Sequence, residues 1–346
     1  MPLNESVQEQ LRTLLEGKVV LVTGGTGTIG SEIVRQVIPY RPKLIRILSR
    51  DEYKQSTLRY RYRNYSFIRY LLGDVRDLER LRRAFEGVHV IFHAAALKRV
   101  EATEYDPLEA IKTNVLGTQN VITATLESPT AERVVAISTD KAVNVTSTMG
   151  ATKLLAERLV TWASFYRREP HKTLCSVRFG NVLDSRGSVI PLWRQQIEDG
   201  GPVTLTHCEM RRFFMSIQKA VELVMRAAAW ATGGELFILR MHSIYIRDMA
   251  EILVEELASK FGHDPKNIKI QVTGAAPGEK LDEDLLAPNE IDRTFMVDDE
   301  MAVIIPAHRI DEYHLQRLQN YDGFITSTNT LSKDELRAYL KKERII

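Results

Sequence analysis

Thr23-Gly-Gly-Thr-Gly-Thr-Ile-Gly30 lies between an apolar run that predicts a buried strand, residues 18–23, and an amphipathic pattern that predicts a helix, residues 29–38. Between a strand and a helix, such glycines permit a tight turn, let the backbone approach a pyrophosphate and allow the helix to pack closely on the strand. The helix N-terminus then points its unpaired N–H groups at the phosphates. The residues expected to contact a dinucleotide here are Gly24, Thr26, Gly27, Thr28, Ile29 and Gly30.

The rest of the chain continues the alternation of strands and helices. Helical patterns follow several of the apolar runs, the longest of them at 107–126. Further apolar runs predict strands at 44–48, 66–72, 88–95, 133–138, 174–179 and 235–239. This alternation predicts an α/β fold, a Rossmann-type doubly wound parallel sheet with helices on both faces and a smaller C-terminal lobe.

The domain organisation is predicted from the same pattern. We expect an N-terminal helical extension at 1–17, a dinucleotide-binding domain at 18–180, and mainly a substrate lobe with a terminal helix at 181–346. Later segments of the chain are expected to return to the sheet. The Gly-, Pro- and Thr-rich segment 187–215 predicts mostly loop, and the residues from 325 onward predict a loop and a helix capped by Ser332.

Composition excludes several classes of function. The chain has 346 residues and a formal net charge of +2, which gives no electrostatic case for a nucleic-acid or membrane-surface partner. The basic and aromatic run 60–70 is interpreted as a solvated helix end that leads into a strand. Two cysteines, Cys175 and Cys208, predict reduced thiols, and no apolar run approaches the ~18 residues of a membrane span. We expect a soluble cytoplasmic protein.

The end of the second predicted strand bears on the choice between NADP and NAD. Arg50 and Lys54 can clamp a 2′-phosphate, with Ser49 adding a hydroxyl, which favours NADP. The alternative is that Asp51 binds the ribose of NAD while Arg50 stacks on adenine.

Two other strand ends complete the predicted cofactor site. Asp74 and Val75 follow the third strand, where an aspartate commonly meets the adenine amine, although Asp74 could instead cap a helix. Ala94 and Ala95 follow the fourth strand and let the dinucleotide lie flat. His93 is interpreted as a packed histidine, and no His or Cys spacing predicts a metal site.

The reacting groups are predicted in the segment 138–153, which has the layout of a short-chain dehydrogenase active site. Met149 stands where the catalytic tyrosine of Tyr-x-x-x-Lys is expected, whereas Lys153 remains. Asp140 and Lys141 place an acid beside a base directly after a strand, an arrangement suited to the elimination of water. The alternative for this pair is an ion pair that only holds the loop.

Several motifs occur together and in order. They are residues 93–100 (HAAALKRV), 138–144 (STDKAVN), 178–182 (RFGNV), 185–191 (SRGSVIP), 201–204 (GPVT), 212–215 (RFFM) and 277–280 (PGEK). Over roughly residues 18 to 290 the chain resembles the UDP-N-acetylglucosamine 4,6-dehydratases, the polysaccharide-biosynthesis branch of the extended short-chain dehydrogenases.

The resemblance implies a reaction in three steps. Carbon 4 of the sugar is oxidised, water is lost across carbons 5 and 6, and the hydride returns to carbon 6. Asp140 would protonate the departing 6-hydroxyl, Lys141 would take the carbon 5 proton, and Thr139 would hydrogen-bond the 4-hydroxyl. Lys153, neutral Lys141 or Asp140 could replace the missing tyrosine base, and the configuration at carbon 5 stays open.

The resemblance also implies contacts to a UDP-sugar and a homo-oligomer. The substrate-binding residues it suggests are Lys98, Asn181, Arg186, Val189, Thr204, Arg212 and Glu279. Two other functions stay open, a nucleotide-sugar 4-epimerase and a catalytically inactive NADP-sensing regulator. Met149 speaks against the epimerase, because epimerases exchange the 4-hydroxyl proton through the tyrosine.

Overall fold

The computed structural model describes residues 5–166, 171–275, 277–312, 318–321, 323 and 329–346. The loop predicted from residue 325 therefore lies largely outside the described residues. The helix predicted after it is present, and the Ser332 hydroxyl accepts a hydrogen bond from the Glu335 amide at its N-terminus.

A large sheet organises the described part of the chain. The strands are β1 (Val19–Thr23), β2 (Leu44–Ser49), β3 (Ile68–Leu72), β4 (Val90–His93), β5 (Arg133–Ile137), β6 (Thr173–Arg178), β7 (Asn181–Val182), β8 (Val203–Leu205), β9 (Arg211–Met215), β10 (Leu236–Leu239), β11 (His242–Tyr245), β12 (Ile270–Val272), β13 (Thr294–Met296), β14 (Met301–Ile304) and β15 (Gln319–Asn320). Seven of them run parallel in the order β3-β2-β1-β4-β5-β6-β10. Beyond β10, the strands β14, β13 and β15 extend the sheet in antiparallel fashion.

Helices cover both faces of this sheet. They are α1 (Glu5–Leu15), α2 (Thr28–Val37), α3 (Glu52–Arg61), α4 (Leu78–Phe85), α5 (Val100–Tyr105), α6 (Pro107–Ala110), α7 (Gly117–Glu127), α8 (Thr148–Tyr166), α9 (Val189–Glu198), α10 (Ile217–Trp230), α11 (Ile246–Leu257) and α12 (Lys333–Lys342). Helices α2 and α10 pack together on one face, and α4, α7 and α8 pack on the other. The predicted Rossmann-type, doubly wound α/β fold is confirmed, since parallel strands connected by helices bury both faces of the sheet.

The N-terminal helix α1 packs on the body of the protein. Leu11 and Leu15 are fully buried, and the helix contacts α10. The spacing of these apolar residues places both on the face that packs into the hydrophobic core shared with α10.

Two segments differ from their predictions. The segment 187–215, predicted as mostly loop, contains α9, β8 and β9. Ile190, Trp193 and Ile197 recur on one face of α9 and are fully buried, while Pro191 is tolerated because it lies in the first turn. The helix predicted at 107–126 is interrupted by a π-helical stretch, Ile111–Leu116.

A second hydrophobic core lies beside the carboxyl ends of the parallel strands. It is built by α9, α11, α12 and short strands, and Trp193, Met249, Leu253 and Leu336 are among its buried side chains. In a doubly wound sheet, ligands bind at the carboxyl ends of the strands, so this smaller lobe forms the opposite wall of the expected site.

Candidate active site

A cavity of about 640 Å³ opens between the carboxyl ends of the parallel strands and the smaller lobe. Most of the predicted site residues lie on its wall. They are Thr26, Gly27, Thr28, Ile29, Gly30, Lys54, Ala94, Lys98, Thr139, Lys141, Met149, Lys153, Asn181, Arg186 and Val189. A smaller hollow of about 260 Å³ adjoins it, and its lining includes Gly24, Ser49, Arg50, Asp51, Asp74, Val75 and Ala95.

The glycine segment is shaped to receive a dinucleotide. Gly24 has a φ of +65°, and a Cβ there would lie 2.7 Å from the backbone of Ala94. A Cβ on Gly30 would lie 2.4 Å from the Gly24 carbonyl oxygen. Gly27 caps α2 without a side chain that could occupy the first-turn N–H groups, so these remain directed at the cavity. The residues present therefore fit the pyrophosphate of a nicotinamide dinucleotide.

The basic residues predicted to choose the cofactor lie at the smaller hollow. Arg50 forms an ion pair with Asp74 at 3.3 Å, and Lys54 forms one with Asp51 at 2.5 Å. Asp51 also caps α3 through the Lys54 amide. The buried hydroxyl of Ser49 lies 2.6 Å from that of Thr26, and this hydrogen bond links the end of β2 to the glycine segment.

The structure shows whether Asp74 caps a helix and how His93 is packed. The cap of α4 is Asp77, which leaves Asp74 at the hollow with Arg50 and Arg76. His93 is buried between the hydroxyls of Thr23 and Thr118, at 2.7 and 3.0 Å. Burial lowers the pKa of His93 to about 3, so the ring is neutral and the interpretation as a packed histidine fits the geometry.

Asp140 and Lys141 form a close ion pair after β5. The Lys141 Nζ lies 3.0 Å from the Asp140 Oδ1, and the Thr139 hydroxyl donates to the same oxygen at 2.9 Å. The other oxygen, Oδ2, has no hydrogen-bond partner in the described part of the chain. Asp140 is fully buried, so in this structure its carboxylate lies behind the cavity wall formed by Thr139 and Lys141.

Lys141 has a second acidic neighbour that the sequence analysis missed. The Glu283 Oε1 lies 3.4 Å from the Lys141 Nζ, and the Asn181 Oδ1 lies at the same distance. Burial works against the ammonium, but the carboxylates of Asp140 and Glu283 outweigh it and raise the pKa of Lys141. The resting site therefore holds a protonated lysine.

Met149 and Lys153 lie on α8, one turn apart. The Met149 side chain is almost fully buried and faces the cavity from the position of the missing tyrosine. The Lys153 Nζ donates to the carbonyl of Ile137, and burial lowers the pKa of Lys153 to about 8. A substantial neutral fraction of this amine is therefore present near physiological pH.

A buried charge network lies behind these residues. Arg178 is 1% exposed and contacts Glu157 at 2.7 Å and Glu290 at 2.8 Å. The Ser138 hydroxyl donates to Glu157 at 2.5 Å. Ser138 directly precedes Thr139 and Asp140, and Glu157 lies one turn after Lys153 on α8. The network therefore holds the end of β5 in a fixed position relative to α8.

Lys98 and Arg186 connect the smaller lobe to the glycine segment. The Lys98 Nζ donates to the Arg186 carbonyl at 2.9 Å, and burial lowers the pKa of Lys98. The Arg186 guanidinium donates to the carbonyl of Thr26, and its amide donates to the Thr28 hydroxyl at 3.3 Å. Arg186 thus contacts the loop expected to hold the pyrophosphate.

Three predicted substrate residues lie apart from the cavity wall in the part of the chain that the structure describes. Thr204 bonds to Gln196 of α9 at 2.9 Å. The buried Arg212 guanidinium donates to backbone carbonyls, including those of Leu281 and Lys280, at 3.0 and 2.8 Å. Glu279 lies in the segment that follows β12. Their roles toward a substrate stay predictions.

Asn114 is another residue that the sequence analysis missed. Its side-chain amide bonds to both backbone polar groups of Leu97, at 2.8 and 3.0 Å, and donates to the Thr152 hydroxyl at 3.0 Å. It therefore links the loop that carries Lys98 to α8. Asn114 lies in the π-helical stretch, and such stretches are frequent at functional sites.

The family model described as polysaccharide biosynthesis protein matches residues 20–305. The chain belongs to this family. The match spans the large sheet from β1 to β14 and includes the whole cavity wall.

Curated relatives support the membership. An uncharacterised membrane protein of Methanocaldococcus jannaschii is 50% identical over 86% of this chain and 89% of its own. A UDP-N-acetylglucosamine 4,6-dehydratase (inverting) of Campylobacter jejuni is 35% identical over 86% of both chains. A UDP-glucose 4-epimerase of Rickettsia rickettsii is 38% identical over 79% of both chains. The chain spans about half the length of two further matched relatives, 47% and 46%.

A solved structure also resembles the protein over most of its length. The X-ray structure of Pen from Bacillus thuringiensis is 40% identical and superposes with a TM-score of 0.88. The similarity covers 95% of this chain and 98% of Pen. As a separate finding, none of the helices among the described residues combines the length and hydropathy needed to cross a bilayer.

Proposed function

We propose that this protein is a UDP-N-acetylglucosamine 4,6-dehydratase that makes a UDP-4-keto-6-deoxy-N-acetylhexosamine. The observation that carries the proposal is the Asp140–Lys141 pair, held at 3.0 Å beside a cavity whose other end is a dinucleotide cradle. Elimination of water needs an acid and a base together, whereas hydride transfer alone needs neither in this position.

The ion pair can supply both functions without a net change of charge. A bound nicotinamide would take hydride from carbon 4 and later return it to carbon 6. Transfer of the shared proton from the Lys141 Nζ to the Asp140 Oδ1 converts the ion pair into a neutral base and a neutral acid. Lys141 then takes the proton on carbon 5, which the neighbouring ketone acidifies, and the 6-hydroxyl receives a proton from Asp140 and leaves as water. The original ion pair is restored.

The burial of Asp140 determines how its proton can reach the 6-hydroxyl of the sugar. Its carboxylate has no direct access to the cavity, whereas the Thr139 hydroxyl lines the cavity and donates to Asp140 at 2.9 Å. We assign Thr139 to the relay between Asp140 and the 6-hydroxyl. This role replaces the contact to the 4-hydroxyl that the resemblance suggests for Thr139.

Lys153 is the proposed base for the 4-hydroxyl proton. The methionine at position 149 has no proton to exchange, while burial lowers the pKa of Lys153 to about 8 and the residue lines the same cavity. The same absence of a tyrosine speaks against a 4-epimerase, although curated relatives of both kinds match the chain.

The test of this function is product analysis. Purified protein is incubated separately with UDP-N-acetylglucosamine and UDP-glucose, with NADP or NAD added, and the products are followed by mass spectrometry and NMR. Loss of one water from UDP-N-acetylglucosamine supports the dehydratase. An isomer of unchanged mass would instead indicate an epimerase, and binding of cofactor without turnover of either sugar would favour the sensor.

We propose NADP as the cofactor, with NAD as the alternative. Arg50 and Lys54 both line the hollow that would receive the adenosine ribose, and a 2′-phosphate could replace Asp74 and Asp51 as their partners. The substitution Arg50→Ala is expected to weaken NADP binding about tenfold or more and to change NAD binding little, because it removes a charge-assisted contact. Fluorescence titration with each dinucleotide measures both effects.

Arg59→Ala provides the control for this cofactor prediction. Arg59 lies further along α3 and packs over the Tyr70 ring at 5.2 Å. This variant should bind both dinucleotides as the unmodified protein does. Equal weakening of NADP and NAD by Arg50→Ala would contradict the assignment of NADP.

We propose that the protein is a homo-oligomer. Leu155, Trp162 and Tyr166 lie along one face of α8, and their exposed fractions are 51%, 44% and 59%. Such a contiguous apolar face on a surface helix is typical of an interface between subunits. Trp162→Glu is expected to shift the protein to a smaller species in size-exclusion chromatography with light scattering. Tyr53→Glu, at an exposed position on α3, should leave the mass unchanged.

A further inference from the structure

Glu283 occupies an unusual position behind Lys141. Its side chain is 3% exposed and lies in the segment that follows β12. One carboxylate oxygen lies 3.4 Å from the Lys141 Nζ, and the other lies 3.4 Å from the Lys280 Nζ. The oxygen that faces Lys280 has no hydrogen-bond partner among the described residues. A buried carboxylate that is only partly satisfied is costly, and such cost is frequent at functional sites.

The groups that face Lys141 come from four parts of the chain. Asp140 approaches from the same turn, Glu283 from the segment after β12, and Asn181 from β7. Arg212 of β9 adds a positive charge that opposes the ammonium. On the far side of Glu283, Lys280 is held in place by the Val143 carbonyl, to which it donates at 2.7 Å.

In this arrangement Lys141 has two acidic partners with different roles. Asp140 shares its proton directly and takes part in the reaction proposed above. The distance of 3.4 Å to Glu283 is longer than the 3.0 Å to Asp140 and is an ion-pair contact without a hydrogen bond. Glu283 therefore acts on Lys141 mainly through its charge, and that charge favours the ammonium over the neutral amine.

We propose that Glu283 is a positioning residue that holds Lys141 as an ammonium in the resting site and sets the pH above which the Asp140–Lys141 pair loses its shared proton. The inference rests on the proposed function, in which one shared proton lets Lys141 act as the base and Asp140 as the acid. Removing a negative charge beside an ammonium lowers the pKa of that ammonium. The rate, which needs the proton shared by Asp140 and Lys141, should therefore begin to fall at lower pH when Glu283 loses its charge.

The pH dependence of turnover tests this role in Glu283→Gln. The alkaline limb of the kcat profile, where the pair loses its shared proton, is expected to move to lower pH by about one unit, and the maximal rate is expected to fall because Lys141 is less well held. Glu283→Asp keeps the charge and should leave the limb near its original position. A limb that stays in place in Glu283→Gln would overturn the inference.

Asp282→Asn is the matched control. Asp282 is the neighbouring carboxylate and pairs with Arg211 at 2.7 Å rather than with Lys141. Its substitution should leave the pH profile unchanged. Thermal unfolding of each variant separates a loss of folding from a change in the titration of Lys141.

A second readout does not depend on turnover. The acetylation of Lys141 by acetic anhydride is followed against pH by peptide mass spectrometry, because only the neutral amine reacts. In Glu283→Gln the midpoint should fall by about one pH unit, and in Asp282→Asn it should not. An unchanged midpoint in both would overturn the role of Glu283 even if the protein proved inactive on UDP-N-acetylglucosamine. A shifted midpoint without turnover would instead reject the proposed substrate or reaction while retaining the charge coupling.

Discussion

Lys141→Arg is expected to lower the turnover of UDP-N-acetylglucosamine by about 10²–10⁴-fold while the protein remains folded. Arginine keeps a positive charge between the carboxylates of Asp140 and Glu283, but its guanidinium does not lose a proton at accessible pH. The substitution therefore removes the base and retains the ion pair. Steady-state kinetics and circular dichroism measure the two properties.

Two further variants distinguish loss of the base from other effects. Lys141→Met removes the charge as well, so it should lose activity and also stability, because two buried carboxylates lose their cationic partner. Lys219→Arg, in an ion pair with Glu222 at 3.2 Å outside the cavity, should behave as the unmodified protein. Substantial activity in Lys141→Arg would contradict the role of Lys141 as the base.

Arg178→Met is expected to lower the free energy of unfolding by about 3–5 kcal/mol. The guanidinium is 1% exposed and lies between Glu157 and Glu290, which are 5% and 4% exposed. Removing it leaves two buried negative charges unpaired, and their desolvation is no longer compensated. Urea denaturation followed by circular dichroism measures the change.

Neutralising the partners provides the internal control for this prediction. In Arg178→Met combined with Glu157→Gln and Glu290→Gln, much of the lost stability should return, because no unpaired charge remains buried. Arg247→Met removes an exposed ion pair with Glu251 and should change stability far less. A small effect of Arg178→Met alone would contradict the importance of the buried network.

The cofactor cradle could be predicted from sequence because its requirements are local. Gly24 and Gly30 are needed within one strand–turn–helix unit, and a Cβ at either position would collide with nearby backbone. The alternation of apolar runs likewise predicts the parallel sheet. The reacting groups could also be predicted from a short stretch of sequence, because they occupy one strand end (Lys141) and one helix (Met149 and Lys153).

The acidic partner of Lys141 could not be predicted in this way. Glu283 is separated from Lys141 by most of the smaller lobe in sequence, and only the folded chain brings their side chains to 3.4 Å. Within its own acidic run, 282–284, the sequence alone does not indicate which carboxylate turns inward. The structure separates them, since Asp282 pairs with Arg211, Glu283 with Lys141, and Asp284 with Asn144.

Arg212 is a residue whose type suggests a binding role that the structure does not show. Its residue type suits a phosphate, but in the structure the guanidinium is buried and bonds to the carbonyls of residues 211, 280 and 281. The carbonyls of residues 280 and 281 come from a separate segment, so tertiary packing decides whether the guanidinium is free to bind a phosphate. Helix α9 was predicted as loop for a different reason, because the Gly, Pro and Thr residues of 187–215 conceal its buried apolar face.

The most direct measurement is the incubation of the protein with UDP-N-acetylglucosamine in deuterated water, followed by NMR and mass spectrometry. A 4-keto product that has lost one water and carries deuterium at carbon 5 is predicted, because Lys141 exchanges its protons with solvent before carbon 5 is reprotonated. The ring couplings of that product give the configuration at carbon 5. Recovery of unchanged substrate, or of a 4-epimer with protium retained at carbon 5, with cofactor binding demonstrated, would contradict the proposed dehydration.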